Sequence, residues 1–179
     1  NDEKLDACIV GEPTNPNELG EMIKIGRRGS YSGKLVVYGI QGHVGYPHLA
    51  NNPINSLFKM LEPLLKVNLD KGNENFEPSS AMITSIDVGN NSFNIIPSKV
   101  EVKFNIRFND KFSANGITKM LQDHFSSQKI KYDFDYFCNA EPFLTQSSHL
   151  IDSLQKAIES ITNKIPIKST SGGTSDARF

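Results

Sequence analysis

The sequence has no tryptophan, two cysteines and four histidines in 179 residues. Cys8 and Cys138 stand far apart with no CxxC spacing, which excludes a redox dithiol, a zinc ribbon and a disulfide framework. Two such thiols fit burial in a reducing compartment, the cytoplasm. No apolar run approaches the roughly 20 residues a helix needs to cross a bilayer, so no membrane partner is expected. Charge of one sign is also missing. The chain carries 19 Lys+Arg against 20 Asp+Glu, which argues against a nucleic-acid partner and against an acidic disordered tail. Repeats and low-complexity tracts are absent, and so are HExxH, His-x-Asp, a Glu-Glu pair and a GxSxG elbow. A metal centre needs at least three protein ligands, so any such centre would take most of its ligands from elsewhere.

What remains has the composition of an ordinary globular protein, and periodicity organises it. Leu5–Gly11 reads as a buried strand and Glu21–Ile25 as a second. A longer strand follows with Leu35, Val37 and Ile40. Asn52-Pro53 suits a helix start, and Leu57, Met60, Leu61, Leu64 and Leu65 form one apolar stripe. Pro63 should kink or interrupt that helix. Met82, Thr84, Ile86 and Val88 alternate before the turn at 89–92. Val100, Val102, Phe104, Ile106 and Phe108 then alternate with polar residues, the period of a strand covered on one face. A helix over about 113–127 points Ile117, Met120, Leu121 and Phe125 inward, and Ile130, Tyr132, Phe134 and Tyr136 mark a last strand.

The order β-α-β-β-α-β predicts an α/β (α+β) chain with a ferredoxin-like unit: a four-stranded antiparallel sheet with two helices on one face. Beyond Pro142, Leu150, Ile151, Leu154, Ile158 and Ile161 mark another helix. The expected division is 1–28, 29–140 and 141–179, a small lid flanked by two incomplete strips of a larger α/β domain. Unpaired edges on so small a sheet invite a two-fold dimer. The chain is therefore expected to be an excerpt of a longer protein.

Four segments carry candidate chemistry. Glu12, in Gly11-Glu12-Pro13-Thr14, follows a presumed strand end, where α/β sheets place ligands, and its carboxylate suits a metal; a solvated glutamate in a turn has the same spacing. Lys24-Ile25-Gly26-Arg27-Arg28-Gly29-Ser30 combines cations, flexible backbone and a hydroxyl, which suits an anion pocket or a charged turn. Gln41-Gly42-His43-Val44-Gly45-Tyr46-Pro47-His48 holds two histidines that suit ligation, acid–base work or oxyanion donation, or are simply surface residues. Ser171-Gly172-Gly173-Thr174-Ser175-Asp176 presents donors to an anion but lacks the lysine of a P-loop, and a plain turn reads the same way. His124 and His149 read as structural or solvated helix residues.

These segments, with Asn94-Ile95-Ile96-Pro97 and the Gly172–Phe179 run, closely resemble the dimetal aminoacylase and carboxypeptidase-like metallopeptidase family from Cys8 to Phe179, in order. Gly42–Pro53 and Gly26-Arg27-Arg28-Gly29-Ser30 most resemble the members that hydrolyse a succinyl amide. The resemblance implies a catalytic domain that binds two zinc ions, with cobalt as a substitute, and an inserted lid that forms a homodimer. It implies that Glu12 is a zinc ligand. It implies that His43 enters the partner subunit's site to steady the scissile amide oxygen. Lys24, Arg27, Ser30, Asn94, Arg107, Gly173 and Thr174 would hold a small anionic substrate derived from an amino acid. The reaction implied is hydrolysis of N-succinyl-L,L-2,6-diaminopimelate to succinate and L,L-diaminopimelate, in diaminopimelate and lysine biosynthesis. The remaining ligands and the general base would lie outside these 179 residues, so this span alone is expected to be inactive. Gly45 stands where the family commonly has Ala, Ala177 where Gly is common, and Phe93 where Asn often precedes the Asn94 position. A related N-acyl-amino-acid deacylase such as acetylornithine deacetylase is the alternative enzyme. A non-catalytic ferredoxin-like dimerisation module is the alternative outside enzymes.

Overall fold

The computed structural model describes residues 4, 6–65, 68–146 and 148–172. Its strands are β1 Met22–Lys24, β2 Gly26–Arg27, β3 Gly29–Tyr38, β4 Gly42–His43, β5 Ser80–Asp87, β6 Ile95–Ile96, β7 Lys99–Phe108, β8 Tyr132–Ala140, β9 Phe143–Leu144 and β10 Ile167–Ser169. The helices are α1 Pro53–Met60, α2 Ala114–Ser127 and α3 Ser148–Thr162.

Strands β5, β7, β3 and β8 form one antiparallel sheet in that order, which is the ferredoxin-like topology. The strict alternation in β7 decides which face is covered. Val100, Val102, Phe104, Ile106 and Phe108 are each at most 2% exposed. They pack with Tyr31, Leu35 and Val37 of β3 under α1 and α2. Each such side chain contributes on the order of 1.5–3 kcal/mol by leaving water.

Asn52 caps α1 by accepting from the Ile54 amide at 3.0 Å, and Leu57 and Met60 face the sheet. The helix stops at Met60, and a 3-10 turn over Glu62–Leu64 follows. Pro63 is the cause, because it has no N–H to give the Lys59 carbonyl one turn back. His124 of α2 compensates: its Nε2 lies 2.9 Å from that carbonyl oxygen, which can only accept. His124 is therefore a structural residue that ties the two helices together. Ser113 caps α2 through the Gly116 amide at 3.1 Å, and Ile117, Leu121 and Phe125 line its buried face. Phe125 meets Phe134 edge-on, with ring centroids 5.2 Å apart.

Several sequence expectations change. Residues 8–11 form no strand, and Ile9 is 62% exposed. An apolar run becomes a strand only where a neighbour completes its hydrogen bonds, and none of the described strands pairs with these residues; Leu5 lies outside the described residues. Both cysteines are exposed, not buried. Ile40 lies past the end of β3, in a single bridge to Asn51. Leu65, beyond Pro63, turns out of the stripe, and Met120 sits at the rim of α2 instead of inside. Ile151 is the buried residue of α3.

The flanking segments meet each other. β1 pairs in parallel with β10, which sets Lys24 opposite Ser169, and β2 pairs antiparallel with β9. Gly26 permits the second pairing, because a Cβ there would lie 2.4 Å from the Phe143 carbonyl oxygen.

Candidate functional site

The candidate residues fall into two groups at opposite ends of β3. At its start, Glu12, Lys24, Arg27, Ser171 and Gly172 line one open cleft. Glu12 is exposed there. Lys24 Nζ is held by neutral partners, the Ser171 hydroxyl at 2.9 Å and the Ser169 hydroxyl at 3.2 Å. Burial, and then the neighbouring Arg27 guanidinium, lower the Lys24 pKa. Arg27 is buried and its Nη1 donates to the Gly26 carbonyl at 3.1 Å. Arg28 turns the other way, 3.2 Å from the Glu77 carboxylate and 2.8 Å from the Pro78 carbonyl. Adjacent arginines thus divide the work: one faces the cleft and one fastens a loop.

Ser30 and Arg107 are opposite each other in the β3–β7 register, on the face without helices. Asn105 donates to the hydroxyls of Ser30 at 3.3 Å and Ser32 at 3.1 Å, and both hydroxyls donate to Asn139 Oδ1 at 3.4 Å. This end of the sheet therefore offers cations and hydroxyls, the groups that grip carboxylates. Sequence reading missed the Ser169–Ser171 seat of Lys24. Those residues are some 145 positions apart, and only the parallel β1–β10 pairing brings them together.

At the far end, β4 pairs with β6, which brings His43 beside Asn94. The Gly45 amide donates to His43 Nδ1 at 3.0 Å, and Asn94 Nδ2 lies 3.5 Å from Nε2. Both side chains are exposed. The ten residues of β3 separate the two groups by about 30 Å at a rise of about 3.3 Å per residue. Within one chain His43 cannot reach the Glu12 cleft. Gly173 and Thr174 lie outside the described residues.

Among the described residues no three His, Cys, Asp or Glu side chains gather into a metal site. Glu12 fits the role of a single ligand, a carboxylate open to the cleft, and supplies no more than that.

A family model described as a peptidase dimerisation domain matches residues 25–133. Proteins named succinyl-diaminopimelate desuccinylase are similar over nearly the whole chain. The one from Xanthobacter autotrophicus is 46% identical, aligned over 99% of this chain and 48% of its own length. The one from Pelagibacter ubique is 45% identical, over 99% and 47%. The chain thus spans about half the length of the curated relatives it matches. Among solved structures, aminopeptidase PepT from Bacillus cereus aligns with a TM-score of 0.68 at 19% identity, over 88% of this chain and 42% of that one. A tripeptidase from Staphylococcus aureus gives 0.67 at 18% identity, over 88% and 41%. At such identities the two structures speak for the fold alone. With more than half of its residues matched and the β-α-β-β-α-β unit in place, the chain belongs to the peptidase dimerisation domain family.

Proposed function

We propose that this chain is the lid and part of the catalytic domain of a dimetal hydrolase that releases succinate from N-succinyl-L,L-2,6-diaminopimelate, leaving L,L-diaminopimelate. The observation that carries the substrate is the 45–46% identity, over 99% of the chain, to proteins bearing the desuccinylase name. Residues 29–140 are the lid and form a homodimer; 1–28 and 141–179 belong to the catalytic domain. The enzyme works in the cytoplasm, and among the described residues no helix is long and apolar enough to cross a membrane.

Glu12 is one ligand of a zinc pair, for which cobalt can substitute, and the other ligands come from sequence outside this span. When bound, the metal pair supplies a Lewis acid and a water that is nucleophilic at neutral pH. The residues of this chain bind and orient. Lys24 and Arg27 offer fixed positive charge to the substrate's carboxylates, and Ser30 and Arg107 extend that grip across β3 and β7. Gly173 and Thr174 are assigned to the same task.

His43 supplies an N–H to the amide oxygen of the partner's substrate as negative charge grows there. The length of β3 supports this assignment across subunits: a donor about 30 Å from its own cleft has work only at another copy's. Water adds its oxygen to the succinyl carbonyl carbon, the C–N bond breaks, and the departing amine takes a proton.

The test is hydrolysis by the full-length protein loaded with zinc. Succinate release from N-succinyl-L,L-diaminopimelate, well ahead of acetate release from N-acetylornithine, is the expected result. Preference for the acetyl substrate would move the protein to the deacetylase branch. Turnover of neither, with no stoichiometric zinc bound, would leave a dimerisation module.

A further inference from the structure

Lys24 leads into a chain of hydroxyls, and the directions of their hydrogen bonds leave one donor over. As an ammonium, Lys24 Nζ has three N–H groups and three neighbours: Ser171 Oγ at 2.9 Å, Met22 Sδ at 2.9 Å and Ser169 Oγ at 3.2 Å. A serine hydroxyl oxygen accepts at most two hydrogen bonds and has one proton to give. Ser169 Oγ accepts from Lys24 and from the Ser171 amide at 3.1 Å, so both of its lone pairs are used. It lies 2.8 Å from Ser171 Oγ and must be the donor of that bond. Ser171 Oγ therefore accepts from both Ser169 and Lys24. Its own proton meets no acceptor among the described residues.

The backbone holds Ser171 firmly in this place. The Ile25 amide donates to the Ser169 carbonyl at 3.0 Å, and the buried Thr170 donates its hydroxyl to the Asn75 carbonyl at 2.6 Å. Gly172 then turns the chain with a φ of +91°, a left-handed conformation that glycine adopts without strain. Ser171 and Gly172 line the same cleft as Glu12, Lys24 and Arg27. A hydroxyl that accepts from an ammonium is polarised, and each bond in such a chain strengthens the next. The donor left over at Ser171 thus suits a negatively charged acceptor in the cleft. A carboxylate, which only accepts, meets that requirement.

We propose that Ser171 is a substrate-binding residue whose hydroxyl donates to a carboxylate oxygen of the substrate, and that Ser169 is a positioning residue that fixes the direction of that donation from behind. This rests on the function proposed above and deepens it. Lys24 keeps its three protons on atoms of the chain, and its charge reaches the substrate through Ser171. Ser169 touches no substrate and acts through its bond to Ser171. The substrate carries carboxylates on its succinyl half and on its diaminopimelate half, and the two products separate them.

Steady-state hydrolysis by the full-length, zinc-loaded protein is the first arm of the test. Ser171→Ala should raise KM about 10-fold or more with kcat little changed, the signature of a charge-assisted contact made equally in the ground and transition states. Ser171→Thr keeps the hydroxyl and should recover most of the loss. Ser169→Ala should raise KM by a smaller factor, and Ser169→Thr should restore it. Added to Ser171→Ala, the Ser169→Ala change should have little further effect on KM, because the two residues act in series. The second arm needs no turnover. Calorimetry of succinate and of L,L-diaminopimelate with wild-type and Ser171→Ala protein should show a raised Kd for the product whose carboxylate Ser171 holds. An unchanged KM in Ser171→Ala, or a lowered kcat at unchanged KM, would overturn the assignment of Ser171. So would equal affinities of the two proteins for both products, or a wild type that binds neither. A wild type that binds a product but cleaves no succinyl substrate would refute the proposed function instead, and the calorimetry would decide Ser171 by itself.

Discussion

Asp70 organises the loop that reaches from the sheet to the flanking strands, and replacing it should cost stability in a pH-dependent way. Its carboxylate accepts from the Gly72 amide, from the Ser79 amide at 3.1 Å and from Asn109 Nδ2 at 2.9 and 3.1 Å. The ordered loop then places the Asn75 carbonyl 2.6 Å from the Thr170 hydroxyl and Glu77 beside Arg28. In Asp70→Ala four donors, the Gly72 and Ser79 amides, Asn109 Nδ2 and the Ser79 hydroxyl, lose a charged acceptor, each worth about 1.5–3 kcal/mol where water is excluded. Water reaches part of this half-buried loop, and Asn109 retains the Glu77 carbonyl at 3.3 Å, so the expected total is about 2–4 kcal/mol rather than the sum. The pH dependence follows from the carboxyl. Burial alone would raise its pKa, but hydrogen bonds from the Ser79 hydroxyl, the Gly72 amide and Asn109 outweigh burial and hold it below the ordinary 3.8. A depressed folded pKa contributes stability that is present above the unfolded value and lost as pH falls through the folded one. Urea midpoints at constant m, taken at pH 7 and again below pH 3, measure the difference. A cost under about 1 kcal/mol at neutral pH, or one undiminished in acid, would refute this account of the loop.

Three further outcomes are expected. Phe125→Ala removes the ring that meets Phe134 and Tyr132 edge-on and should cost about 3–5 kcal/mol by chemical denaturation. His124→Phe leaves the Lys59 carbonyl that Pro63 released without its donor, and should cost about 0.5–1.5 kcal/mol in the same measurement, a loss that Pro63→Ala in the same chain should largely cancel. Tyr31 is buried with its hydroxyl 2.9 Å from Thr118, and burial pushes its pKa up to about 12. The folded state thus holds the phenolic proton more tightly than the unfolded chain. Its contribution is complete below pH 10 and is lost as pH rises toward 12, so the stability gap between the native protein and Tyr31→Phe should narrow over that interval.

The fold was legible wherever one residue in two, or one in three and four, had to leave water. Val100 to Phe108 show their period because the facing helices bury every second side chain, and Leu57 and Met60 show theirs because α1 lies on that same face. The residues at 8–11 misled for the converse reason: their apolarity resembles a strand, but a strand needs a partner. Cys138 is similar, a residue type usually buried, carried here on edge strand β8 where solvent reaches it. In the candidate site, Lys24, Arg27, Ser30 and His43 are proposed from motifs and Asn94 from resemblance. The seat of Lys24 on Ser169 and Ser171 is not, because local sequence holds no trace of a pairing across some 145 positions. Nor does spacing reveal that Arg28, next to Arg27, belongs to the loop at Glu77 and Pro78.

A site shared between two subunits makes a numerical demand. Full-length Glu12→Ala and His43→Ala are each expected to be inactive, and each homodimer has two damaged sites. When the two are mixed and allowed to exchange, half of the dimers are mixed. Each mixed dimer has one site with Glu12 from one subunit and His43 from the other, both intact, so activity should return to roughly a quarter of the wild-type level. A mixture that exchanges subunits yet stays as inactive as its components would show that Glu12 and His43 do not meet across the dimer.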